Sequence, residues 1–321
     1  MIRTKSKEMV FDELTAPTPS CHASTVLPLP NGDVVVSWFG GKEEGDNDVD
    51  VWVSVKSGGK WQKAVRVTAD PNVPHWNPVL FLRQDGVIYL YFKVGQKVPV
   101  WGTWLSKSND GGITWSEPFE IVPGDENNGR GPVKNKNIRL SDGRVLAPAS
   151  SEHHRKWLSF TDTSTDDGDT WERQADVATG DEFVPMIQPS LWESAPGKVH
   201  MLTRTARGYI YRSDSEDYGQ TWSEAYKTDL LNNNSGLDLD RDDKGGLYLV
   251  SNPIGEDWGA RTPLTLMHSA DNGDTWEEIL VLEDEPGEYS YPAIVYKDGK
   301  LHITYTWKRE KVAYWLLELN D

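Results

Sequence analysis

An eight-residue phrase, S-x-D-x-G-x-T-W, occurs four times in this chain and limits what it can fold into. The copies are SNDGGITW at 108–115, STDDGDTW at 164–171, SEDYGQTW at 215–222 and SADNGDTW at 269–276, with a worn version, KSGGKW, ending at Trp61. The terminal tryptophans, Trp61, Trp115, Trp171, Trp222 and Trp276, lie 54, 56, 51 and 54 residues apart. So regular a period marks an internal repeat, in which each unit buries its apolar face against its neighbours. Within a copy, Asp and Ser can bond back to backbone N–H groups, Gly accepts a positive φ, and Thr-Trp resumes an extended strand. Each copy therefore reads as a stabilised hairpin turn with a tryptophan packed beside it.

A second periodicity counts the units. Turn glycines recur at Gly32, Gly86, Gly143, Gly197, Gly245 and Gly299, spaced 54, 57, 54, 48 and 54 residues apart, each between two alternating apolar runs. That is the hairpin signature, and six turns predict six blades. Enrichment in Tyr, Trp, Val and Thr, without capped amphipathic helices, makes the chain all-β. The last unit ends after LHITYTW and KVAYWLLEL, while the N-terminal run MVFDEL has no unit of its own. Pairing of that run into the last blade would close the ring and remove the exposed sheet edges. The expected architecture is a six-bladed β-propeller forming a single domain over residues 1–321.

Composition narrows the partners. A formal net charge of −17 argues against a nucleic-acid or anionic-membrane surface, so an acidic ligand needs a local pocket of Arg and Lys. No segment is apolar for long enough to span a membrane, and the N-terminus lacks the apolar region of a signal peptide; the cytosol is the simplest expected location. Cys21 is the sole cysteine, which leaves no intramolecular disulfide, and a buried thiol is the simpler expectation than a nucleophile. Asp46, Asp48 and Asp50 are spaced like the start of a calcium loop, but Val51 and Ser57 stand where Gly and Glu would be needed. No metal or cofactor is expected. The longest irregular stretches, Pro123–Arg130 and Asn252–Arg261, are candidates for the rim of a pocket.

The turn glycines also give a register for the strands nearest the axis. Ten residues before each lie His22, Trp76, Val133, Ile187, Ser235 and Tyr289, with His75, Asn77, Lys134, Asn135, Lys136, Gln188, Asn234 and Tyr291 close by. Polar and aromatic groups converging on one concavity are the usual picture of a ligand site, particularly for a sugar. Alternation sets Lys134 and Lys136 on one face of their strand and Asn135 on the other. Arg204 lies seven residues past its turn glycine, with Glu152, Arg207 and Arg261 near the same rim. Their mostly cationic character suits a carboxylate-bearing ligand, which Arg binds through a bidentate fork.

The four phrases resemble the Asp-boxes of the sialidase (BNR-repeat) families, and the resemblance runs along essentially the whole chain. It implies a propeller with the boxes on the outer rim. It also implies that His22 stands where those families carry the first of three carboxylate-binding arginines. By the same resemblance Asp46 (or Asp48) is the acid/base Asp, Arg204 or Arg207 the second arginine, Arg261 the third, Tyr289 the nucleophile, and Gln188 replaces the Glu that activates it. The implied partner is a glycan with a terminal acidic sugar, which a sialidase-like enzyme would hydrolyse. His22, Tyr289 and Arg261 also fit β-elimination at a uronic acid, and Gln188 in place of Glu fits a propeller that binds sugar without turning it over.

Overall fold

The computed structural model describes residues 2–125, 129–152 and 156–320; residues 126–128 of the Pro123–Arg130 loop lie outside them. The strands form six antiparallel sheets around an axis. Blades 1 to 6 begin at Ser20–Pro28, His75–Leu82, Ile138–Arg139, Met186–Ala195, Asp238–Arg241 and Tyr289–Lys297, each running into the hairpin that carries its turn glycine. All six of those glycines have positive φ, as the turns require. The second strands are the most buried: Val34–Gly41, Ile88–Val94 and Val145–Ser151 have no exposed residue, because each is covered on both faces by neighbouring blades.

The ring closes through the N-terminus, but not with the expected residues. The closing strand is Ile2–Met9, paired with Lys311–Leu319 on the outside of blade 6. The run MVFDEL turns away after Met9: Val10 and Phe11 are buried in the seam between blades 6 and 1, and Asp12 Oδ1 accepts the N–H groups of Leu14 and Thr15. The sequence IRTKSKEM explains the choice, since its lysines and Thr-Ser can face water along an outermost strand.

The boxes lie at the turns between third and fourth strands. In the third, Ser215 Oγ donates to Asp217 Oδ1 at 2.8 Å, and Thr221 donates its N–H (2.9 Å) and its hydroxyl (2.6 Å) to the same carboxylate. Each box also packs on the preceding blade. A Cβ on Gly168 would lie 2.4 Å from Tyr91 Oη, and one on Gly219 would lie 2.6 Å from Leu146 Cδ2. Gly is required there for close approach as well as for its φ. The boxes therefore lock neighbouring blades together, away from the axis.

Candidate active site

At the axial end, the innermost strands enter through a shared distortion. Ala23, Asn77, Lys134, Gln188, Asn234 and Tyr291, one from each blade, all have φ between 43° and 70°. In blades 1, 2, 4 and 6 the pairing register slips at this point, which is a β-bulge. Left-handed backbone at a non-glycine residue costs about 1–3 kcal/mol, and such strain persists only where the surroundings impose it. Here the distortion re-aims side chains. Gln188, Asn234 and Tyr291 all meet one guanidinium, that of Arg204.

Arg204 is 2 % exposed. Its Nη1 donates to Tyr291 Oη at 2.7 Å and to Gln188 Oε1 at 3.0 Å, and its Nε donates to Asn234 Oδ1 at 3.0 Å. These acceptors are neutral, and Arg204 forms no ion pair among the described residues. Arg261 and Arg309 complete a cationic wall. Arg261 donates to Glu288 at 2.7 Å, and Arg309 spans Glu288 and Glu44 at 2.6 Å each. Burial raises the Glu288 carboxyl, but Arg261 and Arg309 outweigh it and hold the group below its usual value. The Arg261 guanidinium lies 5.4 Å from the centre of the Tyr291 ring, and that of Arg204 lies 5.6 Å from it.

His22 packs on the same tyrosine, its ring 4.2 Å from that of Tyr291 and tilted by 49°, with Nδ1 3.0 Å from Thr306 Oγ1. Burial, then the positive charges of Arg309, Arg261, Arg204 and Lys134, push its pKa well down, so the imidazole is neutral. Next to the site, Ala23, Phe39, Val49, Trp76, Trp101 and Val133 form a buried apolar cluster against which Tyr291 packs. Trp76 is held by a bond from its indole N–H to Gly95 O at 3.0 Å, and Gly45 of the loop carrying Asp46 lies against its ring. Asp46 itself is exposed, one residue further along that loop. Asp48 instead accepts the backbone N–H of Lys42 and so shapes the turn.

Several expected residues have other places. Tyr289 is 1 % exposed and packs among Tyr248, Leu264, Leu282 and Trp307, between blades 5 and 6. Its backbone N–H donates to Arg261 O, so it supports the site without presenting its phenol there. The reason is the turn: Lys297 and Lys300 pair directly, leaving a two-residue hairpin of Asp298 and Gly299, shorter than the turn before Val34 in blade 1. Counting back from Gly299 therefore overshoots, and Tyr291 holds the place that Ala23 holds in blade 1. His75 is a structural residue between blades 1 and 2. Its Nε2 accepts Ala69 N–H at 2.8 Å and its Nδ1 meets Val49 O at 3.1 Å, which satisfies a neutral ring. Burial lowers its pKa in the same sense.

Both lysines turn into the axis. Lys134 Nζ donates to Asn135 Oδ1, Leu237 O and Pro292 O at 2.8, 2.7 and 2.6 Å, beneath Tyr291, and burial brings its pKa down to about 7. Lys136 bonds both oxygens of Asp238 and Leu239 O, stitching blade 3 to blade 5. They brace the ring rather than line an open cavity. Arg207 is half-exposed at the rim and pairs with Glu182 at 2.7 Å. Cys21 is buried, its thiol pushed up to about 12 by that burial.

Arg309 was not among the expected residues. It sits in the Lys308–Arg309 turn between the second and third strands of blade 6. The equivalent connections carry Asp46 in blade 1, Trp101 in blade 2, Glu152 and Trp157 in blade 3, Arg207 in blade 4 and Arg261 in blade 5. These loops all open at the end where the innermost strands start, and that shared position is the signal which finds Arg309. Glu152 belongs to the same group; its carboxyl is raised by burial, with Arg204 acting in the opposite sense.

Residues 32–303 match the BNR repeat-like domain family. No functionally curated protein matches the sequence. Among solved structures, a protein of unknown function from Dyadobacter fermentans superposes with a TM-score of 0.79 at 18% identity, over 98% of each chain. The NanB sialidase of Streptococcus pneumoniae gives 0.73 at 14% identity, over 98% of this chain and 70% of that one. A covalent intermediate of Trypanosoma rangeli sialidase with 2,3-difluorosialic acid gives 0.74 at 15% identity, over 97% of this chain and 59% of the longer enzyme. The repeats, the six closed blades and the family match lead to one conclusion: the chain is a sialidase-like β-propeller belonging to the BNR repeat-like domain family.

Proposed function

We propose that the axial pocket is the active site of a sialidase-like exo-glycosidase that removes a terminal acidic sugar from a glycan. The observation that carries this is Arg204 donating to Tyr291 Oη, with Arg261, Arg309 and neutral His22 around the same ring. The arginines receive the sugar carboxylate, Arg204 first because no described carboxylate pairs with it. The apolar cluster from Phe39 to Trp101 takes the uncharged face of the ring.

In the hydrolytic reaction Tyr291 Oη attacks the anomeric carbon while Asp46 protonates the departing glycosidic oxygen, giving a glycosyl–tyrosine that water then cleaves. Gln188 cannot take the phenol's proton; the neutral imidazole of His22 is the base at hand. Arg204 compensates the charge that develops on Oη. The covalent intermediate trapped on Trypanosoma rangeli sialidase supports this route by analogy of fold.

One observation favours a second reaction. A neutral His, a Tyr and an arginine cluster, with no described carboxylate bonded to the phenol, also suit β-elimination from a uronic acid. There Arg neutralises the carboxylate, His22 removes the C5 proton and Tyr291 protonates the leaving oxygen. Incubation with sialyl and uronyl oligosaccharides separates the outcomes. A saturated free acidic sugar supports hydrolysis, an ultraviolet-absorbing unsaturated product supports elimination, and binding without turnover overturns both.

A further inference from the structure

The end of blade 4 away from the axial pocket carries a second grouping of nucleophile, base and acid, around its first hairpin. His200 pairs across the sheet with Trp192 on one side and Asp214 on the other, so the three side chains form one row on one face. His200 Nδ1 is 2.5 Å from Asp214 Oδ1, and its Nε2 is 2.7 Å from Ser194 Oγ. Asp214 also accepts from Arg212 Nε and Tyr226 Oη, at 2.9 Å each. Burial raises its carboxyl, but the bonds from His200 and Arg212 bring it down to about 2. Arg212 Nη2 also lies 3.2 Å from Nδ1, but the carboxylate is nearer and only accepts, so Nδ1 carries the imidazole proton and Nε2 presents its lone pair. Ser194 Oγ–H then donates to that lone pair, as an activated serine does.

A further donor to this grouping comes from blade 5. The Trp192 indole N–H donates to Asn272 Oδ1 at 2.8 Å. An indole nitrogen cannot accept, which orients the amide with Nδ2 towards His200 Nε2, 3.3 Å away. The amide N–H therefore points at the same Nε2 lone pair as the Ser194 hydroxyl, and loses that acceptor once Nε2 takes a proton. Locking blade 4 onto the box of blade 5 accounts for Trp192, Arg212 and Asn272, which cross that seam. It does not account for Ser194, whose hydroxyl bonds only within blade 4.

We propose that Ser194, His200 and Asp214 form a second hydrolytic site, acting on short-chain carboxylic esters such as acetyl esters, separate from the axial pocket. Ser194 Oγ bonds to the acyl carbon as its proton passes to His200 Nε2. Collapse breaks the ester C–O bond, and the alcohol leaves with that proton. Water, deprotonated by His200, then attacks the acyl-serine and releases the carboxylic acid and the free serine. Ser194 is half-buried beside the 196–197 turn, away from the axial pocket, which suits a small acyl group carried on a larger alcohol.

The full chain is treated with a fluorophosphonate probe and assayed with 4-nitrophenyl acetate. The expected result is an adduct on Ser194 located by peptide mass, and turnover lower by roughly tenfold or more in Ser194→Ala. Asp214→Asn, which disturbs the His200 tautomer, should lose the adduct while Ser194 is still present. Thermal melting of Ser194→Ala at the wild-type temperature shows that folding is not the cause. Absence of the adduct, or wild-type ester turnover by Ser194→Ala, overturns the proposal.

Discussion

The phenol of Tyr291 takes a hydrogen bond from Arg204, while that of Tyr289, on the same strand, lies among Tyr248, Leu264 and Leu282. The two tyrosines therefore separate catalysis from packing. Tyr291→Phe removes only the oxygen and should lower kcat by about 10³-fold or more, whereas Tyr289→Phe should keep kcat within about threefold. Kinetics of both variants on the glycan identified by the panel check this. If Tyr289→Phe is the inactive variant instead, Tyr291 is not the reacting phenol. Arg204 offers a parallel test. Its fork serves three neutral acceptors through two nitrogens. A lysine ammonium cannot reproduce that plane, so Arg204→Lys should raise KM by about 10- to 100-fold. Arg207→Ala, whose partner is the exposed Glu182, should change KM little.

At the scale of the element, the blade was legible and its inner entrance was not. The turn glycines and the box tryptophans mark the hairpins because Gly with positive φ and a packed indole leave traces in the sequence. A β-bulge leaves none: Ala, Asn, Lys, Gln and Tyr all occupy the left-handed position here, so no residue type announces it. The shorter turn of blade 6 shifts the register by one place, so Ser290 rather than Tyr289 matches His22, and Tyr291, next along, takes the left-handed position. Likewise His75, one residue before the axial Trp76, faces between blades because alternation turns it there. Arg309 was missed because its turn carries no repeated motif. The boxes themselves predict a stability effect without a catalytic one. Asp217→Ala deletes the acceptor of Ser215 and Thr221, and should cost about 1–3 kcal/mol by denaturant unfolding with kcat unchanged. A change in kcat of comparable size would mean that the outer rim couples to the axis.

For the whole molecule the decisive place is the seam where the ring closes. Phe11 and Trp38 pack there at 4.9 Å, and Tyr314 of blade 6 meets Trp61 of blade 1 at 5.4 Å. His302 sits behind it, Nδ1 2.8 Å from Tyr314 Oη. Burial, reinforced by Lys300, Lys297 and Lys56, lowers its pKa from 6.5 to about 4. Above pH 6.5 the ring is neutral both folded and unfolded, and His302 adds no pH dependence. Between pH 6.5 and about 4 the unfolded chain takes up a proton that the folded one refuses, so stability falls with pH by at most about 1.4 kcal/mol per unit. That amounts to about 2 kcal/mol by pH 5. His22 and His75, also held neutral by burial, add to the fall in the same direction. Carboxylates with depressed values, such as Asp169 at about 2, contribute only at lower pH. Urea unfolding at pH 7, 6 and 5 should therefore show a decline that is shallower in His302→Gln, whose amide can still meet Tyr314 but takes no proton. Equal slopes for the two proteins would mean that His302 becomes protonated within the closed ring, and the seam would then not be the acid-sensitive joint of this propeller.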